Sequence, residues 1–227
     1  MVKTVLLDLD DTIFDFKACE KEALSAALDA YGIPFHDADL SDYSEINDRM
    51  WKKLERGEIT RERLKIERFE VFLSRFERRP DATEFCAAYF EKLSHTSALI
   101  DGACDVLDSL SETYRLYAVT NGYAYTQTGR IAASGIGRYF LDIFISEKVG
   151  SVKPKKEFFD YCAAHIPNFV LRETVLVGDS PTSDIAGGKA YGLYCIRYNP
   201  KHLADGEAIP DAEIASLSEL PSVLSVL

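Results

Sequence analysis

Apolar positions along the chain change their spacing twice. Val5-Leu6-Leu7 is a short unbroken apolar run, the pattern of a buried strand. From about residue 17 to residue 97 apolar residues recur at helical intervals, with no strand signal among them. Leu24, Ala27, Leu28 and Tyr31 stand at i, i+3, i+4 and i+7, and Gly32 with Pro34 ends that helix. A second helix is expected from about Ser41, with Tyr43, Ile46, Met50 and Leu54 on one face and Gly57 beyond its end. Thr60 is a good N-cap for a third, which turns Leu64, Phe69, Phe72, Leu73 and Phe76 inward. Asp81-Ala82-Thr83-Glu84 has the form of a capping box and opens a fourth, carrying Phe85, Tyr89 and Leu93.

After Leu99 strands and helices alternate. Val106, Leu107 and Leu110 line a helix, residues 114–119 read as a strand, and the next helix stops at Ser134-Gly135. Ile143-Phe144-Ile145 is a strand, followed by a helix from Pro154 to about His165 with the proline in its first turn. Residues 174–177 form a strand, 183 to about 191 a helix, and 194–198 a final core strand. This alternation predicts right-handed βαβ crossovers and an α/β fold with a Rossmann-like parallel sheet. One strand precedes the helical stretch and the others follow it. Residues 17–97 are therefore expected to be a helical cap inserted into a core made of 1–16 and 98–227. Ile13-Phe14-Asp15-Phe16 is too short for an element and reads as a turn leading away from the first strand's end.

Charge narrows the partners. With 26 Lys and Arg against 37 Asp and Glu the chain carries −11, which disfavours nucleic-acid polymers and anionic membranes. An anionic substrate then has to be held by local positive charge. The five cysteines are scattered without a C-x-x-C pair, so neither a zinc site nor a disulfide framework is indicated. The four histidines share no ligand spacing. With no basic-then-apolar leader and no apolar run near 18 residues, a cytoplasmic location is expected.

The candidate chemistry lies where strands end. The first strand stops at Asp8-Leu9-Asp10-Asp11-Thr12, three carboxylates within four residues. At the edge of an apolar core these repel one another and resist desolvation unless a cation, most simply a divalent metal, sits among them. The second strand ends in Thr120-Asn121-Gly122, a hydroxyl followed by a tight turn, and Lys153 stands before Pro154 at the mouth of a helix. The fourth strand ends in Gly178-Asp179, with Asp184 five residues further on. In α/β sheets ligands bind at the carboxyl ends of strands, so these groups form one coherent site for a metal and a phosphoryl group.

Taken together, these stretches resemble the haloacid dehalogenase-like (HAD) hydrolase superfamily. Asp8-Leu9-Asp10-Asp11-Thr12 is similar to its D-x-D-x-T motif, Thr120-Asn121 to its hydroxyl motif, Lys153 to its lysine and Gly178 to Asp184 to its G-D-x-x-x-x-D. Asp11 stands where many members have glycine. The resemblance implies an Mg²⁺-dependent phosphomonoester hydrolase, with Asp8 as nucleophile and Asp10 as proton donor and acceptor. It further implies Thr120, the Asn121 amide and Lys153 as phosphate-binding groups. The implied metal ligands are the carboxylates of Asp8 and Asp179 and the carbonyl of Asp10. Asp184 is left to orient Lys153 or a water on the metal.

Several chemistries share this framework. Dehalogenating members lack an aspartate where Asp10 stands, so Asp10 argues for phosphoryl transfer. A phosphonatase would need a cap lysine, for which Lys17, Lys21, Lys52, Lys53, Lys65 and Lys92 are available. A β-phosphoglucomutase-like mutase, a sugar-phosphate or phosphoglycolate phosphatase, and a catalytically silent binding module stay open. The cap stretch Asn47 to Trp51, Arg56 to Thr60 and Arg68-Phe69, with Thr120-Asn121-Gly122, Gln127 and Arg130, resembles the bacterial pyrimidine 5′-nucleotidase branch. A nucleotide is accordingly the expected small-molecule partner. Tyr43, Trp51 and Tyr123 are candidates to face the base, and Asn47, Asn121 and Arg68 to bond its polar edge. The competing reading of Trp51, Phe69 and Phe72 is plain cap core, since aromatics at helical spacing usually pack.

Overall fold

A computed structural model of the chain describes residues 1–204 and 206–227. In chain order the elements are β1 (Thr4–Leu7), α1 (Phe16–Ala30), α2 (Asp37–Glu55), α3 (Arg61–Leu73), α4 (Ala82–Ser94), α5 (Ala103–Ser111) and β2 (Arg115–Thr120). These are followed by α6 (Ala124–Ser134), β3 (Asp142–Ile145), α7 (Ser146–Val149), α8 (Lys156–His165) and β4 (Thr174–Gly178). The chain then runs through α9 (Ala186–Tyr191), β5 (Tyr194–Tyr198), β6 (Ala212–Ile214) and α10 (Leu220–Ser225).

The sheet is wholly parallel in the order β3-β2-β1-β4-β5-β6, as the alternation of elements predicts. Every residue of β1 and β4 is buried, because both sheet faces are covered. Side chains of β1 split by parity. Val5 and Leu7 join Leu116, Ala118, Val175 and Val177 on one face, whereas Leu6 joins Tyr117, Val119 and Leu176 on the other. The register pairs Leu7 with Ala118 on one side and with Val177 on the other. Asp8, one residue beyond that level, and Thr120 and Asp179, two beyond it, therefore emerge at the same edge of the sheet.

Helices α1 to α4 bury their own cluster, in which Leu24, Leu28, Leu64, Phe69, Phe72, Phe85 and Tyr89 are sealed from solvent. Thr60 accepts from the Arg63 amide at 3.3 Å, and Asp81 from the Thr83 and Glu84 amides at 2.9 and 3.0 Å. Entry to and exit from the helices run side by side. The Asp15 amide donates to the Ala98 carbonyl at 3.1 Å, and the Ile100 amide to the Ile13 carbonyl at 2.9 Å.

Four expectations need correction. Helix α2 starts at Asp37, earlier than Ser41, because Asp39 accepts the His36 amide at 2.8 Å and two aspartates favour a helix N-terminus. Pro154 lies in the turn before α8, outside the helix. A wide turn over Pro181–Ile185 precedes α9, because the Ser180 carbonyl accepts from both the Asp184 and Ile185 amides at 3.1 Å. The sheet also continues past β5 to the three-residue β6, too short to signal itself. Among the described residues no helix is long and apolar enough to cross a membrane.

Candidate active site

Asp8 follows β1 directly, and its amide donates to the Val177 carbonyl at 2.9 Å, which ties its backbone to β4. The buried Lys153 ammonium spends its three protons here, on Asp8 Oδ1 at 2.5 Å, Asp184 Oδ1 at 2.6 Å and the Val119 carbonyl at 3.0 Å. Asp184 is held in turn by the Ser180 amide, 3.1 Å from Oδ2. The Asn121 side chain clamps the Lys153 backbone in both directions, accepting from its amide and donating to its carbonyl at 2.9 Å each. That engagement takes the Asn121 side chain away from any base, against the expectation that it bonds the base edge.

The electrostatics of this group favour a cation. Oxygens of Asp8, Asp179 and Asp184 all lie within 4.8 Å of one another. Burial, with Asp184 and Asp10 adding repulsion, pushes Asp8 up to about 8 despite the attraction of Lys153. Burial, Asp184 and Asp8 likewise hold Asp179 well above the usual carboxylate range. Burial works against the Lys153 ammonium, but Asp184 and Asp8 outweigh it and raise its pKa. One ammonium cannot neutralise three carboxylates, two of them buried and one half-buried, and hard oxygen donors suit a small dication such as Mg²⁺. The residues present fit that ion.

Asp10 points elsewhere. Its carboxylate is paired with Arg130 and accepts from Gln127 Nε2 at 2.8 Å. Gln127 Nε2 also donates to Thr120 Oγ1 at 2.7 Å, and the Gly122 amide donates to the same oxygen at 3.1 Å. With its lone pairs engaged, the Thr120 hydroxyl is left as a donor toward the cleft. Gln127 and Arg130 belong to the nucleotidase resemblance, which assigns neither a role. Their signal is an i, i+3 pair of polar residues on one face of α6, both buried. The turn after Asp10 also differs from expectation. Rather than leading away, it buries Phe14 beneath Arg130 and brings Phe16 to the cleft wall.

Above these groups the helical segment closes a cleft of about 730 Å³. Asn47, Trp51 and Arg68 line it from the helices, and Tyr123 lines it from the β2–α6 turn. The Trp51 and Tyr123 rings stand 5.8 Å apart at 60°. Arg68 Nη1 donates to Asn47 Oδ1 at 2.6 Å, and Asn47 Nδ2 donates to Glu20 at 3.2 Å. Tyr43 is the exception. It is fully buried within the helical cluster, 5.3 Å from Phe69 and from Phe72, and does not line the cleft. Phe69 and Phe72 are packed there too. Arg61 bridges the helices to the sheet, donating to the Asn121 carbonyl at 3.1 Å and to Ser146 Oγ at 2.6 Å.

A parallel sheet carrying an aspartate pair, a hydroxyl, a lysine and a second acidic loop at its carboxyl edge defines a hydrolase of the haloacid dehalogenase-like class. The chain belongs to that family, whose model matches residues 2–192. Among its relatives, the HAD-hydrolase YfnB of Bacillus subtilis is 38% identical over 99% of this chain and 96% of its own. The crystal structure of YfnB bound to magnesium superimposes with a TM-score of 0.94 over 98% of both chains. Pyrimidine 5′-nucleotidase PynA of Streptococcus pneumoniae is 38% identical over 96% of this chain and 93% of its own. Pyrimidine 5′-nucleotidase YjjG of Escherichia coli is 30% identical over 97% and 96%.

Proposed function

We propose that the chain is an Mg²⁺-dependent phosphomonoester hydrolase that works through an aspartyl phosphate and prefers nucleoside 5′-monophosphates. The observation that carries the preference is the shared cleft. Trp51 and Tyr123 offer aromatic surface, and the Asn47–Arg68 pair offers hydrogen-bonding groups, in the same cavity as Asp8. Two relatives of near full length are named as pyrimidine 5′-nucleotidases, which supports the same reading.

In this mechanism an oxygen of Asp8 attacks phosphorus while the bond from phosphorus to the ester oxygen breaks. Asp10 gives its proton to the departing oxygen. Water then attacks the aspartyl phosphate, passing a proton to Asp10, and phosphate leaves with Asp8 restored. The Thr120 hydroxyl and the Asn121 amide hold the phosphoryl oxygens as charge shifts among them, joined by Lys153 as it exchanges its bond to Asp8 for one to the phosphoryl group. Asp184 keeps Lys153 in place from behind. Mg²⁺, held by the Asp8 and Asp179 carboxylates with the Asp10 carbonyl, would supply positive charge that neutralises the phosphate and lets Asp8 stay ionised. Residues 17–97 act as the cap that excludes water, anchored by the paired connections at Asp15–Ala98 and Ile13–Ile100.

A base presents a flat face whose stacking on an aromatic is worth about 1–3 kcal/mol, and a sugar phosphate has no use for that surface. The test is kcat/KM for dUMP, dTMP and UMP against glucose phosphates and phosphoglycolate. Nucleotides are expected to lead by about tenfold or more, the equivalent of some 1.4 kcal/mol. A tenfold lead for the sugar phosphates would remove the nucleotidase reading and leave a phosphatase. A mutase would show itself by transferring phosphate between sugars rather than releasing it.

A further inference from the structure

We infer that Arg130 and Gln127 are positioning residues that together orient the Asp10 carboxylate, with Gln127 linking it to the phosphate-binding hydroxyl of Thr120. The inference rests on the phosphatase reading above and assigns work to two side chains that the mechanism leaves idle.

Both residues project from one face of α6, three positions apart, toward the end of β1. Each oxygen of Asp10 has its own holder. Arg130 Nη1 pairs with Oδ1, and Gln127 Nε2 donates to Oδ2 at 2.8 Å. The two holders are bonded to each other, Arg130 Nη1 donating to Gln127 Oε1 at 3.0 Å. Gln127 Nε2 bonds Thr120 Oγ1 as well, at 2.7 Å, so one amide touches both the acid and the hydroxyl.

These holders have little freedom. Arg130 is 1% exposed, and its guanidinium carbon lies 4.1 Å from the centre of the Phe14 ring and 5.5 Å from that of Phe16. Gln127 is equally buried, and space for it is left by Gly122, where a Cβ would come within 2.6 Å of the Gln127 side chain. Asp10 by contrast is 29% exposed and reaches the cleft. An aspartate in a turn beyond a strand would otherwise rotate about both side-chain bonds. Two buried, mutually bonded donors reduce it to one orientation, at the wall of the cleft that also holds Asp8.

The step that depends on this is proton delivery. As the Asp8 oxygen bonds to phosphorus and the ester bond breaks, the Asp10 proton passes to the departing oxygen. An alkoxide needs that proton and 4-nitrophenolate does not. The experiment compares rapid-quench rates of leaving-group release from the best alkyl phosphate and from 4-nitrophenyl phosphate, with Mg²⁺, in wild type, Arg130→Met, Arg130→Lys and Gln127→Ala. Arg130→Met is expected to slow release from the alkyl ester by about a hundredfold or more. Nitrophenol release and KM should change by only about threefold, with Arg130→Lys recovering part of the alkyl rate. Gln127→Ala should show the same contrast, and it carries the test if Arg130→Met does not fold. A crystal structure of Gln127→Ala should show the Asp10 carboxylate displaced, a readout that stands even if wild type hydrolyses neither ester and the phosphatase reading fails. Equal losses on the two esters, or an Asp10 carboxylate that stays in place, would overturn the assignment.

Discussion

Gly178 and Asp184 touch so closely that a Cβ on the glycine would lie 2.4 Å from the Asp184 carboxyl carbon. The strand end and the acidic turn are packed backbone to carboxylate, and this contact sets where Asp184 can hold Lys153. Gly178→Ala should push Asp184 aside and loosen Lys153 from Asp8. The expected result is a kcat loss of about tenfold or more, with stability lowered by about 1–3 kcal/mol for an overpacked site. Steady-state kinetics and urea unfolding check both. Unchanged kcat would mean that Asp184 does not act through Lys153.

Glu20 gives the helical segment a pH dependence of its own. Burial pushes it up to about 7, against the hydrogen bond from Ser44 and the attraction of Arg68, with Asp48 and Asp11 adding repulsion. The neighbouring hydroxyls of Tyr43 and Tyr89 are neutral at these pH values, since burial raises both. Folded chain therefore keeps a proton that unfolded chain releases near 4.5, so this group lowers stability as pH rises from about 4.5 to about 7. Glu20→Gln cannot titrate. Its stability relative to wild type should improve by about 1 kcal/mol or more between pH 5 and pH 8. The difference between two pH values cancels the fixed cost of rearranging the Ser44 and Asn47 bonds. A flat difference would mean that Glu20 is ionised throughout.

Trp51 is half-buried beside Tyr123 at the cleft, so its removal tests base stacking. Trp51→Ala should cost about 1–3 kcal/mol in kcat/KM for nucleotides and spare 4-nitrophenyl phosphate. Equal losses on both would return Trp51 to the packing role that Phe69 and Phe72 play.

The strand ends were the most legible part of the molecule, because an apolar run halted by carboxylates announces both a buried strand and a site. Thr60 and Asp81 were equally legible as caps, since a side-chain oxygen at that position has one local use. Asp11 also fits. Its φ of +57° lies in the left-handed region that glycine enters freely and that aspartate tolerates better than most side chains. Tyr43 was not legible, because helical spacing shows that a residue faces inward without saying whether core or cleft lies there. The pairing of Arg130 with Asp10 was hidden for another reason. It joins residues 120 positions apart, and only the sheet order brings α6 over the end of β1. The β6 strand depends on tertiary pairing with β5, and the wide turn before α9 on the Ser180 carbonyl accepting two successive amides, which residue type alone does not announce.

Asp8 is the proposed nucleophile that accepts the phosphoryl group, and Asp8→Asn with Mg²⁺ present tests that role most directly. The change is nearly isosteric and leaves an acceptor for Lys153, so the melting temperature should stay close to that of wild type. Phosphate release from the best substrate is expected to fall by about a thousandfold or more, the cost of losing covalent catalysis. A folded Asp8→Asn enzyme that keeps more than about a few per cent of wild-type kcat would contradict the account.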